Sequence, residues 1–130
     1  MKAVDSNIMI FHLVSDSIFG KRASEIIHNI QTGEPAFIPL AAFKETLFIL
    51  LKKGRNIKTL AEFFISLNLN SVKIAEDDYE IFMHGLKLAE EYKLSAGDGV
   101  IIATMMKHGI AEIYSNDEGF DNVPGIKRIF

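Results

Sequence analysis

Four acidic side chains stand in settings where an acid needs an explanation: Asp5, Glu45, Asp98 and Asp117, with Asp121 as a weaker fifth. On a helix, Glu45 has Ala41, Ala42, Phe48 and Ile49 as its neighbours three and four residues away, so its patch of surface is otherwise apolar. A lone carboxylate there is costly to desolvate unless it is exposed, protonated or paired with a cation. Asp98 has two readings. Ser95-Ala96-Gly97-Asp98 fits a capping box, and a carboxylate in a first helical turn also points toward the crevice at the ends of strands. Asp5-Ser6-Asn7 and Asn116-Asp117-Glu118-Gly119 are turn-forming runs that serve as well for ending strands as for presenting ligands.

If the four acids meet in one crevice, their charges need an answer. Two carboxylates ~4 Å apart repel by about 4 kcal/mol at an effective dielectric of roughly 20. A hard divalent cation with oxygen preference, Mg²⁺ or Mn²⁺, supplies the missing charge. His12, His28, His84 and His108 form no helical metal pair, which argues against zinc. Ser6, Asn7, Ser115 and Asn116 flank the acids and either orient them and their bound waters from behind or simply make the turns.

These side chains must be carried by elements, and the pattern of residues supplies them. Residues 2–5 read as a short first strand, after which a helix opens. Ala23, Ile26, Ile27 and Ile30 have helical spacing over residues 20–32, with Gly33 as the stop. Residues 36–39 read as a strand, and 40–53 as a buried helix ending in two lysines and Gly54. Leu60, Phe63, Phe64 and Leu67 mark a helix over 56–67, and 71–75 a strand. Tyr79, Phe82, Leu86 and Ala89 mark a helix over 77–92, within which Gly85 is unfavourable. A buried helix over 100–107 and strands over 111–116 and 125–130 complete the chain. Strands alternating with helices imply an α/β fold with a mainly parallel sheet covered on both faces. Such sheets bind ligands at the carboxyl ends of their strands, beside a topological switch point.

Composition closes off other chemistry. The chain has no cysteine, which removes disulfides, zinc-thiolate centres, iron-sulfur clusters and cysteine nucleophiles. Its formal charge of -3 lacks the positive excess of strong non-specific nucleic-acid binders, so any nucleic-acid contact would have to be local. Lys52, Lys53 and Arg55, with Lys58 nearby, are the basic run available for it, and equally suit a solvated helix end. No run approaches the ~20 apolar residues of a membrane helix, and no leader pattern opens the chain, so a cytoplasmic location is expected. A dehalogenase-type phosphatase would want a second aspartate where Asn7 stands, a receiver domain an acceptor aspartate that is not found, and no Walker loop is present.

The segments Val4-Asp5-Ser6-Asn7-Ile8, Glu45 in its apolar helix, Asp98-Gly99-Val100-Ile101-Ile102-Ala103-Thr104 and Ser115-Asn116-Asp117-Glu118-Gly119-Phe120-Asp121 resemble, in this order, the acidic motifs of PIN domains. The likeness spans nearly the whole chain, and a free-standing domain of this size is similar to the VapC-type toxins of toxin–antitoxin pairs. The resemblance implies a single PIN domain over residues 1–130, folded as a three-layer α/β/α sandwich. It further implies Mg²⁺ or Mn²⁺ held by Asp5, Glu45, Asp98 and Asp117 with Asp121 as auxiliary ligand, and endonucleolytic cleavage of RNA to 5′-phosphate and 3′-hydroxyl ends. An antitoxin and a second copy of the chain are the expected protein partners. The alternatives are a PIN nuclease of RNA processing or quality control, and a catalytically silent PIN-like interaction module. Gly99 departs from the pattern, since alanine is more usual there, at a cost in helix propensity.

Overall fold

The computed structural model describes residues 1–67 and 70–130 of the chain. Strands β1 (Lys2–Val4), β2 (Ala36–Pro39), β3 (Val72–Ala75), β4 (Glu112–Tyr114) and β5 (Lys127–Ile129) form one sheet in the order β3-β2-β1-β4-β5. Every pairing in it is parallel, with Ala3 opposite both Phe37 and Ile113, and Ile113 opposite Arg128. Between the strands run helices α1 (Ser6–Leu13), α2 (Gly20–Gln31), α3 (Leu40–Lys52), α4 (Ile57–Ser66), α5 (Tyr79–Tyr92) and α6 (Ala96–Lys107). All four residues of β2 are buried, although successive side chains point to opposite faces, so both faces of the sheet are covered there. Ala3, Val4, Phe37, Ile38 and Ile113 of the strands pack with Ile8, Ile27, Ile101 and Phe120 in the core. Among the described residues no helix is long and apolar enough to cross a membrane.

Strand order fixes where a ligand can sit. From β1 the chain builds outward through β2 to β3, then returns to the other side of β1 with β4 and β5, so the direction of winding reverses between β1 and β4. A crevice opens at such a reversal, at the carboxyl ends of the strands. Asp5 follows β1 directly, and Asp117 lies just beyond β4.

Two elements differ from the sequence expectation. Helix α6 begins at Ala96 rather than at residue 100, because Ser95 is extended and its hydroxyl accepts a hydrogen bond from the Asp98 amide at 3.1 Å. The helix is then buried continuously from Asp98 to Met105, which leaves no polar stripe to give it a period in the sequence. A 3₁₀ turn at Glu118–Asn122, too short to leave a periodic signal, is pinned by the fully buried Phe120.

Helices α5 and α6 approach at backbone distance. A Cβ placed on Gly85 would stand 2.7 Å from both Cα and N of Val100, and one placed on Gly99 would overlap the Gly85 carbonyl oxygen. The two glycines that appear in the sequence as costs to helix propensity are the contact that seats the first turn of α6, and with it Asp98.

Candidate metal centre

Four elements deliver the acids to one place. Asp5 is the N-cap of α1 and Asp98 lies in the first turn of α6, Glu45 comes from the second turn of α3, and Asp117 caps the 3₁₀ turn after β4. A carboxylate oxygen from each of Asp5, Glu45 and Asp98 lies within 4.8 Å of the other two. Asp117 joins them in lining a 240 Å³ cavity, whose apolar wall includes Ile10 and Ile49. Gly97 lies beside Glu45, where a Cβ would make an ordinary contact at 3.5 Å from Oε2. Among the described residues, none of the four acids pairs with a lysine, arginine or histidine.

Asp5 and Asp98 are buried, and burial is the main reason that both carboxyls hold their protons more tightly than usual. Asp5 is raised to about 6 by burial, with Glu45 and Asp117 adding repulsion, against hydrogen bonds from Ser115 and Ser6 that pull it down. Asp98 is raised to about 7, first by burial and next by the charge of Asp5, while Ser95 opposes the rise. Anionic groups held in this way have an unmet demand for positive charge. The donor set is all carboxylate oxygen, the chemistry that suits Mg²⁺ or Mn²⁺.

Ser115 organises the back of the group. Its fully buried hydroxyl donates to Asp5 Oδ2 at 2.6 Å, and accepts from the Asn7 side-chain amide at 3.2 Å and from the Asp117 backbone N–H at 3.0 Å. Ser6 contributes its backbone N–H to Asp5 Oδ1 at 2.7 Å, with its hydroxyl at 3.5 Å from the same atom. Asn116 acts through its main chain, whose N–H reaches Asn7 Oδ1 at 3.5 Å. Ser115→Ala leaves one buried acceptor and two donors unmatched, at about 1–3 kcal/mol for a buried polar group left without its partner. It should also raise the Asp5 carboxyl further and weaken Mn²⁺ binding by roughly 10–100-fold. Thermal melting and a calorimetric Mn²⁺ titration check both effects, and unchanged Mn²⁺ affinity would remove Ser115 from any role in the site.

Asp5 and Asp117 cap their elements and also line the cavity, which are compatible because a cap occupies only part of a carboxylate's accepting capacity. Asp5 Oδ1 takes the Ser6 N–H, and Asp117 Oδ1 takes the Gly119 N–H at 2.8 Å. Asp121 lies outside the lining of that cavity. The structure does not bring it to the other acids; its carboxylate takes two hydrogen bonds from Arg128, at 3.0 and 2.8 Å, and that guanidinium holds its pKa below the ordinary value. Arg128 had no mark in the sequence, since only the pairing of β4 with β5 carries it over this turn. Ser95 and Gly97 also belong to the surroundings of the acids, and the capping pattern at residues 95–98 was the signal for the first of them. Lys52, Lys53 and Arg55 are exposed at the far end of α3, outside the cavity lining, about two turns beyond Glu45 on the same helix.

Comparison with known proteins agrees with this geometry. The model of the PIN domain family matches residues 2–126. The chain is 27% identical, over 99% of both lengths, to Ribonuclease VapC13 of Mycobacterium tuberculosis, and to the same extent to VapC ribonuclease Mb1869c of Mycobacterium bovis. Its fold is similar to that of VapC20 of Mycobacterium tuberculosis, a toxin that cleaves the sarcin-ricin loop, with a TM-score of 0.71 at 16% identity over 90% of each chain. A toxin–antitoxin complex from Klebsiella pneumoniae aligns with a TM-score of 0.66 at 24% identity, covering 100% of this chain and 97% of that one. With matched motifs running almost end to end on a parallel sheet whose switch point gathers the acids, the chain belongs to the PIN domain family.

Proposed function

We propose that this chain is a divalent-metal-dependent endoribonuclease and the toxin of a toxin–antitoxin pair, acting in the cytoplasm. The observation that carries the reading is the group of carboxylates of Asp5, Glu45 and Asp98, gathered with no ion pair to a basic side chain among the described residues. Asp5, Glu45, Asp98 and Asp117 would hold Mg²⁺ or Mn²⁺. When bound, such an ion supplies Lewis-acid polarisation of a phosphodiester and a more acidic water. The protein's part is to fix the ligands: Ser115 and the Ser6 amide orient Asp5, Ser95 seats Asp98, and Ile10 and Ile49 limit water on one side of the cavity. Lys52, Lys53 and Arg55 are free of ion pairs among the described residues and offer contacts to an RNA backbone leaving the cavity along α3. An apolar groove lined by Leu40, Phe43, Leu47, Phe64, Ile65 and Ile74, in which Ile65 is 75% exposed, supports protein partners, an antitoxin and a second copy of the chain.

Purified protein incubated with structured RNAs and Mg²⁺ or Mn²⁺, beside an Asp5→Asn control, tests the activity. Cleavage is expected only with metal and only for the wild type. Growth arrest on expression, relieved by a small protein encoded beside the gene, tests the toxin assignment, whereas cleavage without arrest favours RNA processing. Metal binding with no cleavage of any RNA would leave the silent interaction module as the better reading.

A further inference from the structure

We propose that Arg128 and Asp121 form a positioning clamp that fixes Asp117, so that the last acid is held in place by the closing strand of the sheet. The inference rests on the metal-centre reading of Asp117. Asp117 is the one acid of the four that stands three residues past its strand and belongs to no α-helix. It sits in the connection between β4 and the 3₁₀ turn, where its N–H is held by the Ser115 hydroxyl and its carboxylate by the Gly119 N–H.

The guanidinium of Arg128 touches both ends of that connection. At its start, Nη1 approaches the Ser115 carbonyl at 3.5 Å; at its end, Nε and Nη2 donate in parallel to Oδ1 and Oδ2 of Asp121, at 3.0 and 2.8 Å. Two parallel bonds fix orientation as well as distance, which one ammonium could not do. Arg128 has its own anchor, since β5 pairs with β4 through Ile113 opposite Arg128 and Tyr114 opposite Ile129. Its side chain is 21% exposed, so the fork is partly shielded from solvent, while that of Asp121 is 52% exposed. Asp117 and Glu118 lie close enough to add to the hold on the Arg128 charge. Phe120 and Val123 are buried in the core, and the clamp ties the exposed side of the turn, at Asp121, to β5. A misplacement of one ligand by ~1 Å is enough to cost a reaction about a hundredfold.

The test uses Asp121→Asn, Arg128→Gln, the double variant, and the swapped pair Asp121→Arg with Arg128→Asp, each in the full chain. Mn²⁺ affinity is read by calorimetry, kcat and KM on an RNA oligonucleotide by cleavage, and folding by thermal melting. A clamp predicts that each single variant weakens Mn²⁺ binding and lowers kcat by roughly tenfold, with KM for RNA within about twofold of wild type. The double variant should be no worse than either single one, because one interaction is removed only once, and the swapped pair should recover part of the loss. Lowered melting with Mn²⁺ affinity and kcat intact would overturn the proposal and leave a surface tether. So would a raised KM for Arg128→Gln alone with Mn²⁺ binding unchanged, which would place Arg128 on the RNA. If the wild type binds Mn²⁺ and cleaves nothing, the nuclease reading fails while the Mn²⁺ arm still decides the clamp.

Discussion

Asp98→Asn is expected to lower metal-dependent RNA cleavage by about a thousandfold while leaving the metal-free protein at least as stable as the wild type. A metal ion at a reacting phosphate supplies several kcal/mol of charge stabilisation, and each 1.36 kcal/mol is worth about tenfold in rate. The stability half follows from the sign of the pKa shift. Asp98 is raised to about 7 in the fold, first by burial, from an ordinary value of 3.8. Between those values the folded chain holds a proton that the unfolded chain has released. Stability is therefore fully present below the unfolded pKa and falls as pH rises from about 4 to about 7. Asp5, raised to about 6, adds a loss of the same sign over a narrower window.

The amide of asparagine has the same shape and no charge, and the cap survives the exchange because Ser95 is bonded to the backbone N–H of residue 98. Without metal, the melting temperature of the variant should thus gain on that of the wild type as pH is raised from 4 to 8. Saturating Mn²⁺ should reverse the order, raising the wild type more than the variant. Paired melts with and without Mn²⁺ across this range, beside the cleavage assay, check the claim. A variant several degrees less stable than the wild type at neutral pH without metal would show that Asp98 is a structural cap.

That experiment turns on a residue in a capped first turn that also lines the cavity, and much of what was legible has this double character. The strand at 36–39 and the helix starting at Leu40 could be read to the residue, because Gly33 and Pro39 punctuate them and the apolar runs are short. Asp5, Glu45, Asp98 and Asp117 could be named because each departs from its local pattern: a carboxylate in an apolar helix, an acid opening a buried one, acids at strand ends. Asp121 could not be separated from Asp117 in the same way. Both are acids in one turn, and what distinguishes them is an arginine brought across by strand pairing, a fact about the sheet. The start of α6 was hidden for a related reason. A helix buried on all sides has no polar stripe, and two glycines in its first turn read locally as reluctance to be helical.

Gly99, with Gly85 opposite it on α5, supports a prediction that local propensity gets backwards. By propensity, Gly→Ala inside a helix should stabilise by about 1 kcal/mol. At Gly99 the new methyl would overlap the Gly85 carbonyl oxygen and stand 2.9 Å from the Ala89 methyl; at Gly85 it would meet Val100 Cα and N at 2.7 Å. These obstacles include backbone atoms, so a change of rotamer cannot relieve them and the helices must part. Overpacking of this kind costs about 1–3 kcal/mol and sometimes more, and the backbone contact places both sites at the upper end. After the propensity gain is subtracted, Gly85→Ala and Gly99→Ala should each lose about 2 kcal/mol, a fall of roughly 8 °C in Tm. Gly97→Ala is the control within the same turn. Its methyl meets only Glu45 Oε2, at 3.5 Å, so the propensity gain should survive and Tm should hold or rise. Because the parting of α5 from α6 moves the turn that carries Asp98, Gly99→Ala should also weaken Mn²⁺ binding, measured by calorimetry at a temperature where the variant is folded. If Gly99→Ala melts with or above the wild type, the close crossing is wrong, and the seat assigned to Asp98 goes with it.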